Sequence, residues 1–398
     1  MKKTDMYILA AARVTRSAAA GMINIAFPYY ILKQLHYGAF VIGLIYVSAT
    51  AATAALGYLS GITADVWGKR GTLILASLLL PVSAFLVYAS QSLWLIFPAA
   101  MLGGYSATGS LAGGGIGGAV QPIQSTVLAN LAPNGERTRY FSLFTFLAGV
   151  AAALGALLSK GFEVRDTFLA AAVLSASGIP GLWKLRIPDA RGKMGRLKTR
   201  ATIGKFTLTG FLNGFSQGLV IPFLIPFFVL VYHVPKSRMS EYAFASGVLG
   251  AFAILAAPAL ERWFGFVKSI VLTRGLGLVL FAVFPVVRYL PVSVLIYVLA
   301  PSLRVAALPI QQSELTKRVD EDEMGRALGI NQVARLAASS AGTGLSGYLM
   351  EASLFGVPFF AYGIIMALNL YLYVRFFGAK GRESAGGPIA PPDEPGPE

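Results

Sequence analysis

The chain has 398 residues, 56% of them hydrophobic and 13% charged, with a formal net charge of +15. That balance excludes a soluble globule with an ordinary charged surface and points to an all-α protein that crosses a membrane many times. There is no cysteine, which removes disulfides and thiolate metal sites, and the two histidines, His36 and His233, fall in predicted loops, so neither a cofactor nor a metal site is expected.

In chain order, apolar segments near residues 7–32, 38–60, 72–90, 93–130, 140–159 and 166–184 are followed by a basic stretch and then by 206–232, 242–260, 268–288, 292–315, 326–350 and 355–377. Each reaches or approaches the ~20 residues of helix that a bilayer requires. Twelve transmembrane helices in two sets of six are therefore expected. The division is 1–184 for a first six-helix bundle, 185–205 for a basic cytoplasmic linker, 206–377 for a second bundle and 378–398 for a tail. That tail is rich in Pro and Gly and without apolar periodicity, which predicts disorder. Lys2 and Lys3 precede an apolar run that Arg13 and Arg16 interrupt, with no small-residue cleavage site after it, so the run reads as a retained first helix.

Orientation follows from the basic residues. With the N-terminus inside, the inner segments hold 22 Lys and Arg against 6 in the outer loops. Both termini are then cytoplasmic, in a multi-pass protein expected in the plasma membrane. The positive charge is explained by this bias and by attraction to anionic lipid headgroups, above all along residues 184–205, so no nucleic-acid partner is needed.

Between the second and third segments, residues 61–71 read GITADVWGKRG, a short polar loop carrying Asp65, Lys69 and Arg70 with Gly61 and Gly68. Glycine permits a tight turn and close helix approach, and a carboxylate at a helix end beside bases can latch neighbouring helices. The pattern resembles the signature between helices two and three of the major facilitator superfamily. A glycine-rich fourth segment, the acid and bases Glu136 and Arg139 at the start of the fifth, and the 326–350 segment are similar to efflux-type bacterial and archaeal members over residues 7–377. The resemblance implies two six-helix bundles related about an axis along the membrane normal, with substrate bound at midplane between them. It also implies alternating access, with Asp65, Lys69, Arg70, Glu136 and Arg139 as a gating motif on the inner face. The glycine–proline pattern of many proton-coupled antiporters is missing from helix five, which leaves symport, antiport and uniport open.

An internal repeat supports two copies. Residues 121–124 read QPIQ and 308–311 read LPIQ, and the same offset of 187 pairs Glu136 with Glu323, Arg139 with Arg326 and Gly155 with Gly342. The counterpart of the gating loop is degraded: Gly265 matches Gly68, but Arg262 stands where Asp65 would.

No Asp or Glu lies near the middle of a predicted helix, whereas Arg16, Arg304 and Arg335 do, Arg13 lies at intermediate depth, and Arg274 is placed where it could snorkel to the inner surface. An ion within the hydrocarbon region costs several kcal/mol unless it faces a wet cavity or a partner. A cavity lined by arginine without carboxylates attracts anions, because guanidinium offers a fixed fork to carboxylate or phosphate. Amides at Asn24, Gln121, Gln124, Asn213, Gln217, Gln311 and Gln312 fall in the four helices that line the cavity in the superfamily and complete the expected site. Pairing of these groups with one another, as a structural network, is the competing expectation for each.

The resemblance implies a monomeric secondary transporter, and the arginines and amides point to a small anionic or neutral solute; efflux of an organic anion or amphiphile, which the likeness to efflux-type members implies, is the first reading. A non-transporting receptor with a transporter fold and a multidrug/proton antiporter with a peripheral proton site are the alternatives. An enzyme is not expected, since no phosphate-binding G-x-x-x-x-G-K-[ST] loop occurs and acids and histidines are too sparse for a catalytic cluster.

Overall fold

The computed structural model describes residues 2–105, 118–131, 137–185, 200–319 and 324–378. Among them there is no strand. The helices of the first half are α1 (Lys2–Tyr29), α2 (Ala39–Ala89), α3 (Leu93–Gly103), α4 (Gln121–Leu131), α5 (Arg137–Leu158), α6 (Asp166–Ser177) and α7 (Ile179–Leu182). Those of the second are α8 (Arg200–Val220), α9 (Leu224–Leu230), α10 (Lys236–Val283), α11 (Leu290–Lys317), α12 (Met324–Glu351) and α13 (Val357–Phe377). Counted as crossings, α2 and α10 each supply two, while α3 with α4, α6 with α7, and α8 with α9 each supply one, which gives the expected twelve. Among the described residues, seven stretches are long and apolar enough to qualify alone. The helices α1 and α12 do not, because Arg13, Arg16 and Asn24 of the one and Asn331, Gln332 and Arg335 of the other lower their apolar content.

Local chemistry sets the breaks. α2 bends at Gly68, at φ 78° and ψ 155°, and α10 bends at Gly265, at φ 74° and ψ 171°. An L side chain pays for that φ and glycine does not, so both halves turn between their second and third crossings on a glycine. Pro28 lacks the N–H of a regular helical bond, and α1 loosens beyond it into a π-turn over Tyr30–Gln34. Pro222 and Pro226 interrupt the seventh crossing in the same way, through a 3-10 turn at Ile221–Phe223.

Packing within each half is backbone against backbone. A Cβ on Gly155 would run into the carbonyl of Ala18, and one on Gly21 into the carbonyl of Ala152, where α5 crosses α1. In the second half Gly342 meets the carbonyl of Phe215, and Gly218 that of Ser339, where α12 crosses α8. Gly155 and Gly342 keep the offset of 187 seen in the sequence repeat. Ala18 and Phe215, like Gly68 and Gly265, are 197 apart. The two registers differ by ten residues, and the change lies between the helix starts Leu93 and Leu290, still 197 apart, and Gln121 and Leu308, already 187 apart. The continuous α11 thus corresponds to α3 and α4 with extra glycine-rich chain between them. Since lipid tails are as apolar as the side chains they would replace, such close approach and its dispersion energy hold the bundle together.

Among the described residues, the apolar core is shared at one end and divided at the other. Phe27, Tyr30 and Phe168 of the first half and Phe223, Phe227, Phe228, Phe284 and Phe359 of the second belong to one continuous cluster, at the end far from the chain termini. At the terminal end Leu9, Leu73, Val127 and Leu182 form a cluster of the first half alone, and Ile203, Phe206, Ile270, Tyr373 and Phe377 one of the second alone. Tyr29 and Tyr30 fall near the outer end of the first apolar segment, where tyrosine commonly anchors at the lipid interface. Both are buried instead, with the Tyr29 hydroxyl donating to the Val234 carbonyl at 2.6 Å, whereas Trp94 is exposed.

Candidate binding site

Where the halves face each other, a cavity of about 80 Å³ is lined by Ala20, Gly21 and Asn24 of α1, Tyr46 of α2, Ala152, Ala153 and Ala156 of α5, Ile221 and Pro222, and Leu224 and Ile225 of α9. Ala243, Ser246 and Gly247 of α10 and Tyr297, Pro301 and Arg304 of α11 complete the wall. It is narrow: ligand pockets of drug size run to roughly 300–1,000 Å³. The two halves touch through small residues beside it, since a Cβ on Gly247 would come 2.8 Å from Ala153 Cβ, and one on Gly43 3.0 Å from Gly347 Cα.

The arginines are held by amides. Arg304 is 4% exposed and its Nη1 donates to Gln217 Oε1 at 2.7 Å, while Gln217 Nε2 donates to Asn213 Oδ1 at 2.9 Å. Gln124 Oε1 accepts from Arg13 Nη1 at 2.8 Å and from Arg16 Nη2 at 3.3 Å. Arg335 Nη2 donates to Gln332 Oε1 at 2.6 Å, on its own helix. Arg274, expected to snorkel outward, is instead 2% exposed: its Nη2 donates to Gln311 Oε1 at 2.6 Å and its Nη1 to Asn369 Oδ1 at 3.2 Å, with the Tyr373 ring at 5.0 Å. Asn369 in turn donates to the Thr209 carbonyl at 2.7 Å.

An amide oxygen satisfies a guanidinium N–H without cancelling its charge. Among the described residues, no carboxylate is paired with Arg13, Arg274, Arg304 or Arg335. Arg304, Arg335 and Arg274 are close enough to feel one another's charge, as are Arg13 and Arg16. The interior is therefore electropositive.

Of the residues expected to bind substrate, the structure brings Asn24 and Arg304 to the central cavity. Gln217 and Asn213 stand behind Arg304. Arg16 and Gln124 lie instead beside a separate void of about 10 Å³ with Ser77 and Ser175, room for about one water. Gln311 serves Arg274, Gln121 is half-buried at the start of α4, and Arg335 is half-buried on α12 away from the cavity wall. The side chain of Gln312 lies outside the described residues. So do those of Asp65 and Arg139, all of Glu136, and the surroundings of Gly61; of the remaining gating residues Gly68 forms the bend, Lys69 is buried and engaged, and Arg70 is exposed. Tyr46, Ser246 and Tyr297 were not anticipated at the cavity, and no sequence signal separates them from other aromatic and hydroxyl positions. Asn369 was legible as a lone amide within the apolar run of α13.

The far end is closed by polar clasps between halves. The Lys236 ammonium donates to the Ser159 carbonyl, to the Phe162 carbonyl at 2.8 Å and to Thr167 Oγ1 at 2.9 Å. Lys160 pairs with Glu241 at 2.5 Å, and the Phe40 N–H donates to Glu351 Oε2 at 3.2 Å.

Comparison with known proteins agrees with this architecture. The family model described as Major Facilitator Superfamily matches residues 9–343. Comparison with curated protein sequences finds no match. Among solved structures, the nucleoside transporter NupG superposes with a TM-score of 0.75 at 15% identity, covering 94% of this chain and 100% of its own. A bacterial homologue of the human lysosomal transporter Spinster, in an inward-facing and occupied conformation, gives 0.74 at 15% identity over 97% of this chain and 98% of its own. A D-xylose–proton symporter gives 0.74 at 14% identity over 94% and 97%. At such identities the likeness is one of fold, and the nucleoside transporter and the D-xylose–proton symporter differ in what they carry.

Proposed function

Because the chain belongs to the major facilitator superfamily, and so is a multi-pass membrane transporter of small molecules, we propose that it moves an organic anion by rocking its two halves about the central cavity. One observation carries the choice of anion: buried guanidiniums are held by amide oxygens, one of them on the cavity wall, with no paired carboxylate among the described residues. A cation entering that field is repelled, while an anion supplies the missing countercharge.

The protein works as a monomer in the plasma membrane with both termini in the cytoplasm, and it exports its cargo. On that orientation, the shared core and the Lys236 clasp close the outside and the divided cores open the cavity inward. Asp65, Lys69 and Arg70, with Glu136 and Arg139, latch the inner face in the opposite state.

Flux through reconstituted liposomes tests the reading, with labelled anionic and cationic solutes and with or without an imposed pH gradient. Anion flux should fall at least tenfold in Arg304→Ala, less in Arg335→Ala, and Asp65→Asn should slow turnover while leaving binding intact. Cation flux indifferent to Arg304→Ala would overturn the anionic assignment.

A further inference from the structure

We infer that the cargo is a small monocarboxylate with an apolar body, excluding dianions and polyhydroxylated solutes. This rests on the reading that the central cavity carries the cargo, and it follows from what the wall offers beyond a positive charge.

Among the described residues lining the cavity, Arg304 is the sole formally charged one. Its guanidinium has five N–H donors on three nitrogens. Gln217 occupies Nη1, while Nε is buried and meets no acceptor among the described residues. The edge formed by Nε and Nη2 is a planar two-donor fork, which matches the two oxygens of a carboxylate. A buried N–H without an acceptor is a cost the empty protein carries and a carboxylate relieves.

The rest of the wall sets the body of the cargo. It is built of alanine and glycine from α1, α5 and α10, with Ile221, Leu224 and Ile225 opposite. Ser246, the hydroxyl among them, donates to the Tyr297 carbonyl at 3.2 Å. Asn24 and the phenols of Tyr46 and Tyr297 are the remaining polar groups. A second carboxylate would lose its hydration shell with no second cation to meet it, and a sugar or nucleoside would bury more hydroxyls than these groups can satisfy. The cavity of about 80 Å³ also favours a slim molecule, because a bulky one must hold the halves apart.

Equilibrium binding of labelled benzoate to the full chain in lipid nanodiscs tests this, with empty nanodiscs as blank. The competitors are benzamide, its neutral isostere; terephthalate, which adds one carboxylate; and uridine. Benzoate should compete at least tenfold better than each. Arg304→Gln should weaken benzoate at least tenfold while still eluting as monodisperse protein on size exclusion, which reports that the bundle is folded, and Arg304→Lys should restore only part of the loss because it lacks the fork. Terephthalate binding as tightly as benzoate, with both lost in Arg304→Gln, would overturn the monocarboxylate inference and leave the anion reading standing. Uridine binding unaffected by Arg304→Gln would overturn both.

Discussion

The two halves solve the same packing problem and then diverge at the same amide. Gln124 and Gln311 are 187 residues apart and equivalent in the repeat. Each has its carbonyl oxygen occupied by guanidinium, but in the first half the donors come from α1 (Arg13, Arg16) and in the second from the stretch of α10 beyond Gly265 (Arg274). The position equivalent to Arg274, 197 residues earlier, is Ser77, which borders the small void beside Gln124. What duplication preserved is the acceptor and the helix crossings, and what each half went on to choose is the source of charge. The comparison teaches that pseudo-symmetry fixes the scaffold and that specificity resides where the copies differ.

The comparison can be broken hardest at the crossings. Gly155→Leu and Gly342→Leu each drive a side chain into opposing backbone, which cannot yield as a side chain would. Overpacking of a core costs ~1–3 kcal/mol, and more is expected when the obstacle is a carbonyl. Both variants should fail to give monodisperse protein on size exclusion. Gly363→Ala, at a position with nothing within 4 Å, should behave as wild type or better. Equal damage at all three positions would mean that the matched crossings are not what holds each half.

A smaller effect separates the two amides. Gln311→Leu takes from Arg274, which is 2% exposed, the nearer of its two amide acceptors and should cost ~2–3 kcal/mol, the scale of a hydrogen bond to a charged group. Gln124→Leu takes one acceptor from Arg13 and Arg16 together, but both are only half-buried, so water offsets most of the loss and under ~1 kcal/mol is expected. Thermal unfolding of the purified variants orders them, and a larger loss in Gln124→Leu would reverse the argument from burial.

The smallest change is one of population. Lys236→Met removes three bonds that join the halves at the far end, while Glu241→Gln removes exposed ion pairs that contribute little. Because the chain has no cysteine, spin labels at Lys33→Cys and Ala352→Cys report the gap between halves without background. The distance distribution should broaden toward longer values in Lys236→Met and hardly move in Glu241→Gln. An unchanged distribution in Lys236→Met would remove the clasp from the account.

The scaffold was legible because its signals are local or periodic: twelve apolar runs, a glycine where Gly68 and Gly265 turn, and a repeat register that also sets the crossings at Gly155 and Gly342. The amides were legible as a set, yet their roles were not. Gln311 looked like a ligand contact and holds Arg274, and Arg274 looked like a snorkelling residue because Lys268 is close in sequence. Depth counted along one helix does not show which neighbour covers it, and here Asn369 and Tyr373 of α13 do so from about a hundred residues away. The phenols of Tyr46 and Tyr297 escaped notice for the same reason. Whether a tyrosine faces a cavity, a core or lipid depends on the rotation of its helix against others.

The glycine contact between α2 and α12 has a mechanical consequence. With no side chains between them, Gly43 and Gly347 form a bearing on which two stiff levers can turn with little friction. From Gly347 back to Met324, α12 is about 35 Å long at ~1.5 Å per residue, so a turn of only ~10° at the bearing sweeps its tip by roughly 6 Å. Such gearing lets the loss of a few contacts at one end of the molecule open, at the other, a mouth as wide as a small acid.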